Sequence, residues 1–305
     1  MSYSYMRKPG KYWLRIIIFL LVFGCSRGLS QDAAPQKATE AGSQGQTSQE
    51  KSATSSPNLT NAEKEDFLLK AKVVSMRNIN TGVTGTRRAV LDDGKLKHDA
   101  HIQTVDISKT SFQTDRGTEF NFRDCYKFNM AAYELDKLLD LNMVPPYVER
   151  KVAGQAASVG WWLDDSMMEG ERKKRKMEPP DLHSWNQQMY VVRVFDLLVY
   201  NTDSNLGNLM ITKDWKIWKV DHTRAFRTMK DLKSPKDLVQ CDRKLLGKLR
   251  ELNKDTLKEK LGHYLTNSEI EGLLARRDKI VKFFDDQVAQ KGEAAVLYDL
   301  DGSKS

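Results

Sequence analysis

The segment Tyr200-Asn-Thr-Asp-Ser-Asn-Leu-Gly-Asn208, followed after a short apolar run by Val220-Asp-His-Thr-Arg-Ala-Phe226, concentrates the polar chemistry of this chain. Asp203 stands five residues before Asn208, and Asp221 follows thirteen residues later. That set supplies one proton acceptor and two oxygen ligands, the equipment needed to hold a metal–phosphate complex and aim a hydroxyl at it. In this reading Asp221 bridges a metal to phosphates, Asn208 gives a neutral oxygen to the same or a second metal, and Asp203 orients the acceptor. The plain alternative is that Asp203 caps a turn and Asp221 ends a strand. The joint spacing of all three argues against it.

Such groups need rigid supports. Trp185, Met189, Val192, Phe195 and Leu198 recur at helical spacing, so a helix is expected to end at Asn201 and present the Asp203 loop. Asn208-Leu-Met-Ile211 and Trp215-Lys-Ile-Trp-Lys-Val220 read as two short strands around Thr212-Lys-Asp214, which returns Asp221 beside Asn208.

Upstream, short apolar runs separated by Gly, Asn and Asp between Val73 and Asp106 read as strands and hairpins, with turns at Asn80-Thr-Gly-Val-Thr-Gly85 and Asp92-Asp-Gly94. Met130, Tyr133, Leu135, Leu138 and Leu139 place a helix over Cys125 to Leu141, stopped by Asn142-Met-Val-Pro-Pro146. Tyr147 to Val152 and Ala156 to Leu163 then read as strand, turn, strand. A charged insert runs from Met168 to Pro180. Helices are expected over Asp242 to Leu252, Lys254 to Leu265 and Asn267 to about Lys291, the last with capping groups in Thr266-Asn-Ser-Glu269. The sum is an α+β fold of two lobes: a strand-rich first lobe with one helix, 65–165, and a mostly helical second lobe, 166–305.

The 305 residues, 40% hydrophobic, are ample for a core. A formal charge of +8 is spread among 49 basic and 41 acidic residues without a nucleic-acid recognition motif, so no nucleic-acid partner is expected. Arg7, Lys8, Lys11 and Arg15 before Ile16 to Phe23 have the order of a secretory signal over 1–25. Val22-Phe-Gly-Cys25 resembles a bacterial lipobox, although Phe23 is bulkier than that motif usually has; the expectation is lipid on Cys25, with ordinary cleavage as the alternative, and export to the cell envelope or periplasm. Residues 26–64 read as a disordered tether poor in large apolar residues. Cys125 and Cys241 match no metal-site spacing, and are either a disulfide or two buried thiols.

Over Phe195 to Phe226, and more loosely from Ala71, the chain resembles the atypical kinase superfamily of phosphatidylinositol 3- and 4-kinases, HipA-like kinases and the Golgi casein kinase group, including bacterial secreted members. Their catalytic loop is of the type Asn-x-Asp-Arg-x-x-x-Asn and their later motif often reads Ile-Asp-His, matched here by Val220-Asp221-His222. The resemblance implies a two-lobed kinase-like fold, ATP with Mg²⁺ or Mn²⁺, and a protein or small-molecule hydroxyl as acceptor. Ser204 replaces the usual Arg. Aligning Ala100 to Asp106 with the family's Lys-bearing strand puts Gln103 at the Lys position, and Tyr126 to Tyr133 puts Asn129 at the position of its Glu partner. Lys97, Glu134 and Lys127 are the candidate substitutes. Gly82 and Gly85 match a phosphate-covering hairpin or an ordinary two-glycine turn, Trp162 an aromatic that packs on adenine or in the core, and His222 a ligand or phosphate donor or a hydrogen-bonded structural residue. Arg172 to Lys176 reads as an attractor of acidic substrate or membrane, or as a solvated charge run. The neutral pair motivates a second expectation, a nucleotide-binding pseudokinase that regulates a partner without catalysis.

Overall fold

The computed structural model describes residues 59–79, 85–114 and 117–300. The expected signal segment, Cys25, most of the tether and Gly82 lie outside them.

Helix α1 (Asn61–Lys70) begins with a capping box in which Thr60 and Glu63 satisfy each other's backbone amides. It starts before the Glu65 expected from the first core-forming residues. Arg150 donates to the carbonyls of Leu68, Leu69 and Ala71 at its far end, a cation against the negative pole of the helix. Strands β1 (Lys72–Asn78), β2 (Arg87–Asp92) and β3 (Lys97–Gln103) follow. A long hairpin, β4 (Asp106–Thr114) and β5 (Gly117–Cys125), then precedes α2 (Lys127–Leu139). Strands β6 (Tyr147–Val152) and β7 (Gln155–Trp161) complete an antiparallel sheet in the order β1-β2-β3-β7-β6.

Alternation along this sheet decides its two faces. Ala89, Leu91, Ala100, Ile102, Val159 and Trp161 point into an apolar cluster closed by Phe67 and Leu68 of α1. The other face receives α2, whose Phe128, Met130, Ala131 and Leu135 belong to a larger cluster shared with the helical lobe. One helix thus serves both lobes.

The second lobe opens with β8 (Met167–Met168) and α3 (Glu169–Lys174), where a charged insert was expected. Arg172 is not solvated: it is buried, bonded to both Glu169 oxygens, and its guanidinium lies 5.0 Å from the Trp185 ring centre. Helix α4 (Leu182–Leu198), strands β9 (Leu209–Ile211) and β10 (Ile217–Lys219), β11 (Cys241–Asp242), and helices α5 (Arg243–Glu251), α6 (Lys254–Leu261) and α7 (Asn267–Lys291) follow, then α8 (Glu293–Val296) and β12 (Leu297–Tyr298). Thr266 and Glu269 form the expected capping box on α7. Cys125 and Cys241 are two separate buried thiols. No helix of the described residues is long and apolar enough to cross a membrane.

Asp136 on α2 accepts the amides of Met143 and Val144, tying the helix to the turn after it. Burial outweighs those bonds and pushes its carboxyl up to about 7 from 3.8. The folded chain therefore holds a proton that the unfolded chain has lost, and stability falls as pH rises from about 4 to about 7. Asp136→Asn keeps an acceptor and removes the ionisation. It is expected to flatten the urea-denaturation stability profile across that window by up to a few kcal/mol; an unchanged slope would exclude this source.

Candidate functional site

Helix α4 ends in a knot of polar contacts made by its own last turns. Asp196 takes the amide of Asn201 on its carbonyl, while its carboxylate accepts from Asn201 Nδ2, Ser204 Oγ and Lys219 Nζ. Burial alone would raise that carboxyl, but the charge of Lys219 and the Ser204 hydroxyl hold it below its ordinary value. Tyr200 turns the chain at a left-handed φ of 49°, and Asn201 Oδ1 receives the Asp203 amide at 3.0 Å. The loop is thus wound around one carboxylate.

Asp203 emerges half-buried from this turn, its Oδ1 accepting from Asn205 Nδ2 at 3.1 Å. Asn208 Nδ2 donates to the Asp203 carbonyl at 2.9 Å. That bond fixes which end of the amide is nitrogen and leaves Asn208 Oδ1 without a protein partner among the described residues. Pairing of β9 with β10 continues through Val220 N to Asn208 O at 3.1 Å, so Asp221 follows directly beside Asn208. The hairpin expected around Thr212 to Asp214 is the one observed. Asp221 itself is half-buried at φ 57°, with Oδ1 held by Thr223 Oγ1 at 3.0 Å.

The opposite wall is neutral and tightly bonded. Asn129 Nδ2 donates to Gln103 Oε1 at 2.6 Å and to Ser158 Oγ at 3.1 Å; Gln103 Nε2 donates to Thr86 Oγ1 at 3.1 Å. Asn129 Oδ1 receives the amide of His222 at 2.8 Å. Gln103 and Asn129 are wholly buried. They join the sheet, α2 and the residue after Asp221 into one network, and their amides are spent on protein partners. Lys97 is exposed and Glu134 pairs with Lys137 at 2.7 Å, so neither enters the network. Lys127 lines a cavity of about 540 Å³ beside Arg123 and His263.

Gly85 adopts φ 64°, a turn conformation that suits glycine, and Ile79 N to Thr86 O at 3.0 Å closes the base of its loop. Trp162 carries the Arg88 guanidinium 4.1 Å from its ring centre. His222 is not available as a phosphate donor: its ring is fully buried edge-on to Phe195, and burial together with Lys219 lowers its pKa to about 3.

Several participants escaped the sequence reading. His101, across from Gly160 on β7, is pushed toward its neutral form by burial while Asp221 pulls the other way. Tyr147 lies edge-on to His101 and fills the space over Gly160; burial and Asp221 both raise its phenol. A Cβ on Gly160 would stand 2.2 Å from the Tyr147 ring. Gly160→Ala is therefore expected to cost about 1–3 kcal/mol in thermal unfolding, partly recovered by adding Tyr147→Leu; equal loss in the single and double variants would reject the clash.

The β4–β5 hairpin supplies another unforeseen contact. Glu119 bonds Arg224 at 3.3 Å and Arg227 at 2.6 Å, and both guanidinium groups lie over Phe122. Arg224's carbonyl in turn accepts the amide and hydroxyl of Thr202. Arg276 of α7, buried, bonds the carbonyls of Leu198, Arg227 and Met229, pinning the end of α4 to the segment after Asp221. Local sequence spacing carried no signal for these contacts.

No family model and no curated protein matches the chain. Solved structures do. A Fam20 protein of hydra, solved with sugar, is 13% identical with a TM-score of 0.60, covering 79% of this chain and 92% of that one. The Golgi casein kinase is 11% identical with a TM-score of 0.56, covering 79% and 78%. The fold is therefore kinase-like, shared with these two structures: two lobes, α+β, with a strand-rich first lobe.

Proposed function

We propose that the chain is a metal-dependent phosphotransferase of the atypical kinase type, moving a phosphoryl group from a nucleoside triphosphate to a hydroxyl of a protein or small molecule. The observation that carries this reading is the bond of Asn208 to the Asp203 carbonyl together with the strand pairing that sets Asp221 beside Asn208. Asp203 then orients the acceptor hydroxyl and takes its proton, while the Asn201 and Asn208 bonds keep its backbone still.

Asn208 Oδ1 and the free oxygen of Asp221 are hard ligands that suit Mg²⁺ or Mn²⁺. Among the described residues no group of three His, Cys, Asp or Glu forms a closed cage, which fits a cation whose shell is completed by phosphate oxygens and water. Such a cation supplies charge neutralisation at the transferring phosphoryl group. The fold implies ATP as the usual donor. Gly85, at φ 64°, belongs to the glycine-bearing turn that the resemblance assigns to covering the phosphates. The hydra relative, solved with sugar, makes a sugar hydroxyl one acceptor class to include. We place the protein in the cell envelope or periplasm, anchored by lipid on Cys25, on the strength of its N-terminal sequence.

A second reading rests on the buried Gln103–Asn129 pair. It puts no cation where kinases hold phosphate, and favours a pseudokinase that binds nucleotide and regulates a partner. Purified protein with labelled nucleotide and Mg²⁺ or Mn²⁺ distinguishes the two: labelling of itself or of a protein or sugar acceptor supports the first, and metal-dependent binding without turnover supports the second.

A further inference from the structure

We infer that the donor site selects guanine over adenine, through an Arg88–Asp99 pair on the roof of the cleft. The inference rests on the phosphotransfer reading above and adds the identity of its base. Strand alternation puts Ala89, Leu91, Ala100 and Ile102 into the core, so Arg88 and Val90 of β2 and Asp99, His101 and Gln103 of β3 share the opposite face. Gln103 marks one end of that roof, bonded to Asn129 and through it to the residue after Asp221. Asp99 lies four residues away, roughly 13 Å of strand, where Trp162 donates its amide to the Asp99 carbonyl as β7 leaves the sheet. With the phosphates of an extended nucleotide near Asp221, its base falls beneath Arg88 and Asp99.

Apolar side chains would suit an adenine sandwich there. Instead Arg88 Nε donates to Asp99 Oδ2 at 2.6 Å, with Nη2 on the same oxygen. The Asp99 backbone is fixed by Trp162 and by His98 Nδ1, and the guanidinium rests 4.1 Å from the Trp162 ring centre. The two side chains are 31% and 21% exposed, so a ligand reaches them. Arg88 Nη1 and Asp99 Oδ1 have no protein partner among the described residues. The pair thus offers a donor beside an acceptor, held in place.

Guanine presents the complement. Its O6 and N7 accept from a guanidinium, and its N1–H and 2-amino group donate to a carboxylate. Adenine reverses both polarities at that edge: its 6-amino group would face Arg88, and its N1 lone pair would face Asp99. Selectivity comes from unpaired groups on the wrong base as much as from bonds to the right one.

The test is equilibrium binding of GTP, ATP and XTP to the full chain with Mg²⁺, by calorimetry. The wild-type protein should bind GTP at least about tenfold more tightly than ATP. Asp99→Asn retains an acceptor for Arg88 but offers an amide donor to the base, so it should lose GTP about tenfold and gain XTP, whose C2 carbonyl accepts that donor. A purely structural role for Asp99 predicts no gain toward XTP. ATP bound as tightly as GTP by the wild type, or Asp99→Asn weakening all three equally, overturns the guanine assignment while leaving the nucleotide site standing. A chain that binds none of the three overturns both.

Discussion

Asp221→Asn is expected to lower phosphotransfer by roughly a thousandfold or more while leaving the fold intact. Loss of a charged metal ligand removes several kcal/mol of transition-state stabilisation, and each 1.36 kcal/mol is about a factor of ten in rate. Asparagine is the informative replacement because Asp221 sits at φ 57°, a left-handed conformation that Asn tolerates and Ala does not. Asn also keeps an oxygen for the Thr223 hydroxyl. Single-turnover labelling measures the rate, and thermal unfolding checks that stability moves by less than about 1 kcal/mol. Equal labelling by the variant and the wild type would sink the assignment of Asp221 to metal.

Asp196→Ala is expected to be among the most damaging substitutions for stability, by about 3–5 kcal/mol. The ammonium of Lys219 is entirely buried, and Asp196 is its acidic partner at 2.9 Å. Removing the carboxylate strands that charge away from water. A typical domain holds only about 5–15 kcal/mol in reserve, so the midpoint of chemical denaturation should fall sharply. Lys219→Met should cost less, because Ser204 and Asn201 still bond Asp196. The double variant Asp196→Leu with Lys219→Met should regain stability relative to Asp196→Ala yet lose activity, since the Asp203 loop loses the carboxylate around which it is wound. Because the folded carboxyl titrates below its ordinary value, the pair's contribution is present above about pH 4 and is lost as acid protonates it. Urea denaturation of the three variants at pH 7 and at low pH tests the ranking; a double variant as unstable as Asp196→Ala contradicts it.

Much of this architecture was legible because its signals are local. The β9–β10 hairpin is short, so the spacing of Asn208 and Asp221 already fixed their adjacency. Thr266 and Glu269 announced α7 through a three-residue reciprocity. The Gln103–Asn129 bond was visible because two polar residues occupied positions where an alignment wanted a partnered pair. By contrast, β4 and β5 read Asp-Ile-Ser-Lys-Thr-Ser-Phe-Gln-Thr and Gly-Thr-Glu-Phe-Asn-Phe-Arg-Asp-Cys. Their residues are mostly polar because the hairpin stands outside the main core, so hydrophobic alternation had little to report. Arg172 looked like part of a solvated run since nothing in its neighbours discloses Trp185 thirteen residues on. Arg276 and the Asp196–Lys219 pair depend on segments brought together only by the finished fold.

The Gln103–Asn129 network also bears on control. An Asn side chain engaged with Gln103, Ser158 and the His222 amide must give up several buried bonds at once if α2 is to swing away from the sheet. Each unsatisfied group costs about 1–3 kcal/mol, and about 5.5 kcal/mol separates a 99:1 population from its inverse. Unlike a Lys–Glu pair, two amides have no charge to neutralise, so protonation offers no release. This helix is a fixed strut rather than a throttle, and under the proposed phosphotransfer the pace would be set by arrival of donor, cation and acceptor in the cleft rather than by a swing of α2.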